Sequence, residues 1–426
     1  MRILDAVKDP DAVEQLLRRQ GGIDVLDAVR MILQDVRSGG DPAVLGFAAR
    51  FDCPDIARMG MRVTPGEIAA AYRAVKPGFL RALRLAAGRI RAFHRRQRVP
   101  SWSVRERGVS LEQRSRPLDR VGIYVPGGKG VYFSTELMNA LPAAIAGVGE
   151  IVMATPCGRE GRVASEVLVA GAECGITEIY RIGGAHAVAA LAYGTATIPR
   201  VDKITGPGNA YVAAAKKLVF GEVGIDMIAG PTEVVVVGDG SAPVPFVAAD
   251  LIAQAEHDEM ATPLCITTSA RLARRLPAEL DRQLANAPRR EIARKALDGQ
   301  GAVVLVKSLA AAAELVNRFA PEHLELMVAK PREFAAKVRH AGAIFVGPWA
   351  SEALGDYAAG PNHTLPTSGS ARFSSPLSVL DFLKFTNIIE YDRRASVELA
   401  PVVELLAAAE GFYGHAASAA IRRTAR

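Results

Sequence analysis

The 426 residues are 50% hydrophobic, enough to fill the cores of two or three domains of a soluble globular protein, and carry a formal charge of +7. No uninterrupted apolar stretch reaches the roughly 20 residues that span a bilayer, and Met1-Arg-Ile-Leu-Asp-Ala lacks a signal-type run, so the cytoplasm is the expected compartment, with no membrane partner. Cys53, Cys157, Cys174 and Cys265 are too widely spaced for a disulfide framework or a CxxC knuckle, so any metal must use nitrogen and oxygen ligands.

The first hundred or so residues read as helical. Thr64-Pro65-Gly66-Glu67 is an N-terminal capping signature, with a Thr cap, Pro at the first helical position and Glu three residues after the cap. Arginine is dense over 81–120, as in Arg89-Ile-Arg91-Ala-Phe-His94-Arg95-Arg96. That is either a phosphate-binding face or a solvated helix face, and no nucleic-acid module accompanies it. His94 and His340 lie in Arg-rich contexts and read as surface residues.

From residue 121 short apolar runs alternate with Ala- and Leu-rich helical stretches. Val121-Gly-Ile-Tyr-Val125, Ile151-Val-Met-Ala154, Glu178-Ile-Tyr-Arg-Ile182 and Asp202-Lys-Ile-Thr205 have the βα rhythm of a parallel sheet. A second series follows in Glu233-Val-Val-Val-Val237, Leu264-Cys-Ile-Thr267, Val303-Val-Leu-Val306, Leu324-Glu-Leu-Met-Val328 and Ala343-Ile-Phe-Val346, with helices expected over 247–255 and 309–319. Two such series imply two sheets, divided near Gly230-Pro231. The expected fold is therefore α/β: two Rossmann-like parallel-sheet domains, a helical N-terminal region and a C-terminal helical arm. The boundaries are 1–120, packing with the second domain; 121–231, the nucleotide side; 232–377, with the metal and catalytic residues; and 378–426, the arm.

Ligands of parallel sheets usually lie beyond the carboxyl ends of the strands, which draws attention to two glycine-rich turns, Pro126-Gly127-Gly128-Lys129-Gly130 and Gly206-Pro207-Gly208-Asn209. Neither fits the dinucleotide fingerprint, and such turns alone are more often structural punctuation.

Seven histidines occur, and four stand near acids or amides: Gln254-Ala-Glu256-His257-Asp258, Glu322-His323, Asp356 with His363, and Glu410 with His415. Neutral imidazole binds borderline metals and moves protons near neutrality, so the pattern points to a metal-assisted enzyme. Gln254 and His257, three apart, project from one helix face. With Asp356 in a glycine-rich loop and His415 they make two nitrogen and two oxygen donors, a set suited to Zn²⁺ with Mn²⁺ or Co²⁺ as substitutes. The alternative is a helix whose Gln and His are simply solvated. Glu322 and His323 are an acid/base pair if both reach one pocket, and a strand-entry pair if their side chains diverge.

Seven ordered motifs make the chain resemble histidinol dehydrogenase over nearly its whole length: Tyr124-Val-Pro-Gly-Gly128, Val201-Asp-Lys-Ile-Thr-Gly-Pro-Gly-Asn209, Ile225-Asp-Met-Ile-Ala-Gly-Pro231, Gln254-Ala-Glu-His257, Pro321-Glu-His-Leu324, Gly355-Asp356 and Gly360-Pro-Asn-His-Thr-Leu-Pro366. The resemblance implies a zinc-containing, NAD-dependent oxidation of L-histidinol through the aldehyde to L-histidine. It also implies Gln254, His257, Asp356 and His415 as metal ligands and Glu322 and His323 as the catalytic pair. Tyr124, His186 and Asn209 would contact the nucleotide. Ser134, Thr232, His363 and Glu410 would contact substrate, beside His323 and the metal ligands. A homodimer with exchanged segments, in which the arm bearing Glu410 and His415 completes the partner's site, is implied as well.

Three departures stand out. His186 replaces the family's usual glutamine in Gly183-Gly184-Ala185-His186, Thr232 replaces serine, and Glu410-Gly-Phe-Tyr-Gly-His415 differs between its acid and its imidazole. They leave open a paralogue acting on another small alcohol, such as a hydroxy sulfonate or amino alcohol. A zinc hydrolase using Glu322 would need no nucleotide.

Overall fold

Val234, Val235, Val236 and Val237 have no exposed surface, because they run through the centre of a parallel sheet covered on both faces, where a strand needs no polar alternation. The computed structural model describes residues 1–18, 25–128 and 130–424, so Lys129 of the first glycine-rich turn lies outside the described residues. Its strands are β1 (Arg2–Asp5), β2 (Trp102–Glu106), β3 (Val109–Pro117), β4 (Arg120–Tyr124), β5 (Glu150–Ala154), β6 (Glu178–Tyr180), β7 (Lys203–Thr205), β8 (Gly224–Ile225), β9 (Glu233–Gly238), β10 (Thr262–Thr267), β11 (Ala302–Leu305), β12 (His323–Met327), β13 (Ala343–Val346) and β14 (Leu383–Tyr391).

The first sheet has the order β6-β5-β4-β7-β8 and the second β1-β11-β10-β9-β12-β13, and every pairing in both is parallel. Apart from β1, which joins the edge of the second sheet beside β11, both sheets wind alike: the chain starts in the middle, at β4 or β9, works outward to one side, then returns to the other side of the starting strand as β7 or β12. The reversal leaves a topological switch point beside β4 and beside β9. All nine runs expected as strands are strands.

Alternating residues feed the cores on the two faces. Tyr124, Val152 and Ile204 face one core of the first sheet and Val121, Ile123 and Met153 the other. In the second sheet Val234 and Val236 face one core, Val235 and Val237 the other.

The N-terminal region corrects the expectation that it packs with the second domain. Among the described residues β1, paired with β11, and the helix Pro10–Leu17, whose Val13 joins the second sheet's core, do so, and His94 touches that domain's Asn362, but the larger helices build on the first sheet. The helix Leu26–Phe51 lays Val29, Leu33, Val36, Val44 and Ala48 against the helices Gly184–Tyr193 and Ala210–Val219 of the first sheet. The helices Pro65–Ala74 and Pro77–His94 cover its other face. The apolar stripes of these helices close cores that a five-stranded sheet with four helices of its own leaves open. The Thr64 capping box forms as expected, with reciprocal bonds between Thr64 and Glu67.

By its contacts the chain divides into two units, Met1–Gln97 with Leu118–Phe382, and Arg98–Pro117 with the chain from Leu383 onward. The arm is therefore not purely helical. Its β14 pairs antiparallel with β3, and β3 with β2, before the helices Arg393–Ala409 and Tyr413–Thr424. These strands escaped notice because their side chains are largely exposed or half-exposed and show no apolar run.

Candidate active site

Glu322 ends the loop before β12 and His323 is the first residue of the strand, which lets two neighbours reach one pocket instead of pointing to opposite faces. Glu322 Oε2 lies 3.6 Å from His323 Nδ1. The carboxylate accepts the Thr232 hydroxyl at 2.6 Å and the Glu233 backbone N–H at 2.9 Å, so its orientation is set from the residues that lead into β9, the neighbouring strand. His323 is 3% exposed, and its Nδ1 lies 3.0 Å from the Glu233 carbonyl, a group that can only accept. Nδ1 therefore carries the proton, and Nε2, which is buried with no hydrogen-bond partner, holds the free lone pair. Burial pushes the imidazole below its ordinary pKa, against the opposing pull of the Asp356 carboxylate, which keeps the ring neutral and able to accept a proton.

Around this ring stand Glu352 and Asp356, one turn apart on the helix Glu352–Tyr357, with Glu352 Oε1 3.7 Å from Nδ1 and Asp356 Oδ1 3.8 Å from Nε2. One ligand atom from each of His323, Glu352 and Asp356 falls within 4.8 Å of the others, a group able to hold a metal ion. Gln254, fully buried in the last turn of the helix Val244–Ala255, joins them: one end of its amide lies 2.7 Å from the Thr232 oxygen, and the other is 2.9 Å from Glu352 Oε1 and 3.2 Å from the Glu233 carbonyl. His257 lies just past the end of that helix, and burial lowers its pKa while Asp356 raises it, so the two share one electrostatic neighbourhood. His363, bonded to the Ser134 backbone, feels both Asp356 and His323, and its Nε2 is likewise buried without a partner. The pocket thus gathers Ser134, Thr232, Gln254, His257, Glu322, His323, Asp356 and His363. Glu410 and His415 belong to the second unit, where both are exposed.

Gln254, His257 and Asp356 bring an amide, an imidazole and a carboxylate into this neighbourhood, donors of the kind a borderline divalent ion takes, and the Nε2 atoms of His323 and His363, buried without a partner among the described residues, are left for a bound ligand to satisfy. Glu352 was missed in the sequence, although its place four residues before Asp356 puts both on one helix face. Burial holds its carboxyl well above the ordinary range, with the Asp356 charge adding to the effect. Glu325 is pushed up to about 9 by burial and by neighbouring Asp250.

On the first sheet Tyr124 ends β4, and its hydroxyl accepts the Gly184 N–H at 3.0 Å. Asn209 is exposed and caps the helix Ala210–Val219, accepting from the N–H groups of Tyr211 and Val212. His186 departs from expectation. It is 2% exposed, its Nε2 lies 3.1 Å from Asp52 Oδ2, and its ring stacks with those of Phe47 and Phe51, so the side chain packs against the helix Leu26–Phe51. His94 is also a correction: it is fully buried and accepts from Asn362 Nδ2 at 3.2 Å. Part of the arginine-rich stretch is engaged within the fold. Arg84 and Arg91 hold Glu173, and Arg120 pairs with Glu150 and Glu178.

Residues 17–423 match the family model described as histidinol dehydrogenase. The chain belongs to the histidinol dehydrogenase family. Histidinol dehydrogenase 2 of Trichormus variabilis is 51% identical over 419 residues, covering 98% of this chain and 94% of that one. The histidinol dehydrogenase of Moorella thermoacetica is 51% identical over 409 residues, covering 96% of each. Among solved structures, the histidinol dehydrogenase of Elizabethkingia anophelis superposes with a TM-score of 0.91 at 35% identity, over 97% of this chain and 95% of that one. Such coverage includes every histidinol dehydrogenase motif found in the sequence.

Proposed function

We propose that this chain catalyses the four-electron oxidation of L-histidinol through L-histidinal to L-histidine, the last step of histidine biosynthesis, with two NAD⁺ and one Zn²⁺ per subunit. The reading rests on family membership across the whole chain together with one observation, the neutral His323 whose free Nε2 faces a pocket of carboxylates. Gln254, His257 and Asp356, with His415 from the arm, would hold the zinc. Tyr124 and Asn209 would contact the nucleotide, and Ser134, Thr232, His363 and Glu410 the substrate.

Bound NAD⁺ would supply the hydride acceptor, and a bound metal would supply a Lewis-acidic anchor for the substrate. The chain's own groups handle the protons. His323 accepts the hydroxyl proton at Nε2 as the carbinol carbon loses hydride. Glu322, aimed by Thr232 and the Glu233 N–H, takes a proton from the water that adds to the aldehyde. His323 then serves the hydrate as it served the alcohol. Burial of the pair keeps bulk water from the site and the reactive aldehyde in place between steps.

The dimer with exchanged arms is part of the same proposal. On the arm's helices Val402, Leu405, Leu406, Tyr413 and Ile421 are exposed, an apolar surface suited to a second copy. Among the described residues no helix is long and apolar enough to cross a membrane, in keeping with a cytoplasmic biosynthetic enzyme. Zinc-loaded protein given L-histidinol should form two NADH per substrate consumed. One NADH per substrate, or turnover only with a different amino alcohol or hydroxy sulfonate, would move the assignment to a paralogous activity. Absence of NAD⁺ binding would favour a hydrolase.

A further inference from the structure

Asp226 and Lys216 take no part in the chemistry above, yet they are the most deeply buried ion pair at the nucleotide side of the molecule. Lys216 lies on the helix Ala210–Val219 and Asp226 just after β8, and their side chains are 2% and 1% exposed. Lys216 Nζ donates to Asp226 Oδ1 and, at 2.8 Å, to the carbonyl of Gly206. The N–H of the same Gly206 donates to Asp226 Oδ2 at 2.8 Å. One ion pair therefore holds both polar groups of a single peptide residue.

Gly206 opens the turn that leads from β7 to Asn209. Its φ is +109°, and a Cβ there would sit 2.1 Å from the Tyr124 carbonyl oxygen, so the turn is pressed against the backbone of the other nucleotide-side residue. The turn is thus fixed on three sides. Tyr124 backs it, Asp226 and Lys216 clamp its first residue, and Asn209 closes it by capping the helix that carries Lys216. Burying two charges is expensive, and the cost is offset here because each charge meets the other and one of the two Gly206 groups. The pair satisfies both while neutralising itself. It does so at the carboxyl end of β7, beside the switch point of the sheet, where an anionic ligand would be received.

We propose that Lys216 and Asp226 form a positioning pair for nucleotide binding: they set the geometry of the Gly206–Asn209 turn, and through it the placement of Asn209 relative to Tyr124. The inference rests on the NAD⁺ reading of this turn. The test compares Asp226→Asn, which keeps an acceptor for the Gly206 N–H but removes the charge, with Asn209→Ala. NADH affinity is read by fluorescence titration of the metal-loaded dimer, alongside kcat, both KM values and the thermal midpoint.

Asp226→Asn should weaken NADH binding and raise KM for NAD⁺ roughly fivefold or more, with kcat at saturating NAD⁺ and KM for histidinol within about twofold. If Asn209→Ala weakens NADH binding while Asp226→Asn binds as wild type, the positioning role is overturned and the NAD⁺ reading stands. If neither variant changes NADH binding, the nucleotide assignment of the turn fails and takes the proposal with it. A uniform fall in kcat and both affinities with the thermal midpoint would mark the pair as merely structural and would also overturn it. Should Asp226→Asn not fold, Lys216→Met combined with Asp226→Asn removes the orphaned ammonium and is read by the same criteria.

Discussion

In the first sheet the candidate contacts follow their strands: Tyr124 ends β4 and Asn209 comes after β7. In the second they precede them: Thr232 stands before β9, Glu322 before β12, and Gln254 and His257 where a helix returns toward β10. The winding is the same, but the ends in use are opposite. At the carboxyl ends of parallel strands helices begin, and their free N–H groups and positive dipole ends suit the phosphates of a nucleotide. At the amino ends helices finish, and their carbonyls and negative ends suit a cation and a proton-accepting imidazole. A rule that ligands lie beyond the carboxyl ends therefore locates half of the molecule's chemistry and misses the other half.

The sharpest way to break this division is to remove the metal. Chelation should abolish turnover, with Zn²⁺ or Mn²⁺ restoring it in the wild type and poorly in His257→Asn, while NADH still binds at the first sheet; full activity in rigorously metal-free protein would refute a metal role for the amino-end cluster. Next in size, His323→Asn should lower kcat by roughly 10² to 10⁴ with the Kd for NADH nearly unchanged. In the same assay series Glu322→Gln should slow aldehyde oxidation more than alcohol oxidation, and equal losses in both half-reactions would contradict the assignment of water activation to Glu322.

A smaller effect concerns the seam between the two sheets, where His94 of the first sheet's helical cover meets Asn362 of the segment that follows the second. Burial lowers the His94 pKa to about 4 from 6.5. The folded state thus favours the neutral ring. Its stability is intact above pH 6.5 and falls as the unfolded chain takes up a proton that the folded one refuses, by about 3 kcal/mol down to pH 4. Urea unfolding at pH 7 and at pH 5 should show a steeper loss in wild type than in His94→Gln, and parallel losses would mean that His94 titrates normally.

The smallest change is expected at His186. Because its ring is bonded to Asp52 and packed against both Phe47 and Phe51, His186→Gln should lower stability by about 1 kcal/mol and leave KM for NAD⁺ within about twofold. A larger change in KM would return His186 to the nucleotide site.

Local pattern carried most of the architecture. The valine run at 234–237 and the Thr64 capping signature each act through neighbours a few residues away, and each formed as expected. The unseen elements lacked such local signals: β1 and β8 are four and two residues long, and β2, β3 and β14 present exposed polar faces. For the site, residue types and motifs singled out Gln254, His257, Glu322, His323 and Asp356, but a histidine in a charged stretch looks the same whether it is solvated or buried. His94 and His186 show this, each being buried by partners far away in sequence.

The sequence by itself determined the α/β rhythm, the two series of strands and the family, because hydrophobic periodicity and ordered motifs are written along the chain. Only the tertiary structure decided which sheet the N-terminal helices cover, that Glu352 faces His323, which nitrogen of His323 is free, and that His186 turns inward. Each depends on contacts between segments tens or hundreds of residues apart, where burial and the positions of donors and acceptors set protonation and direction, and no local spacing encodes them.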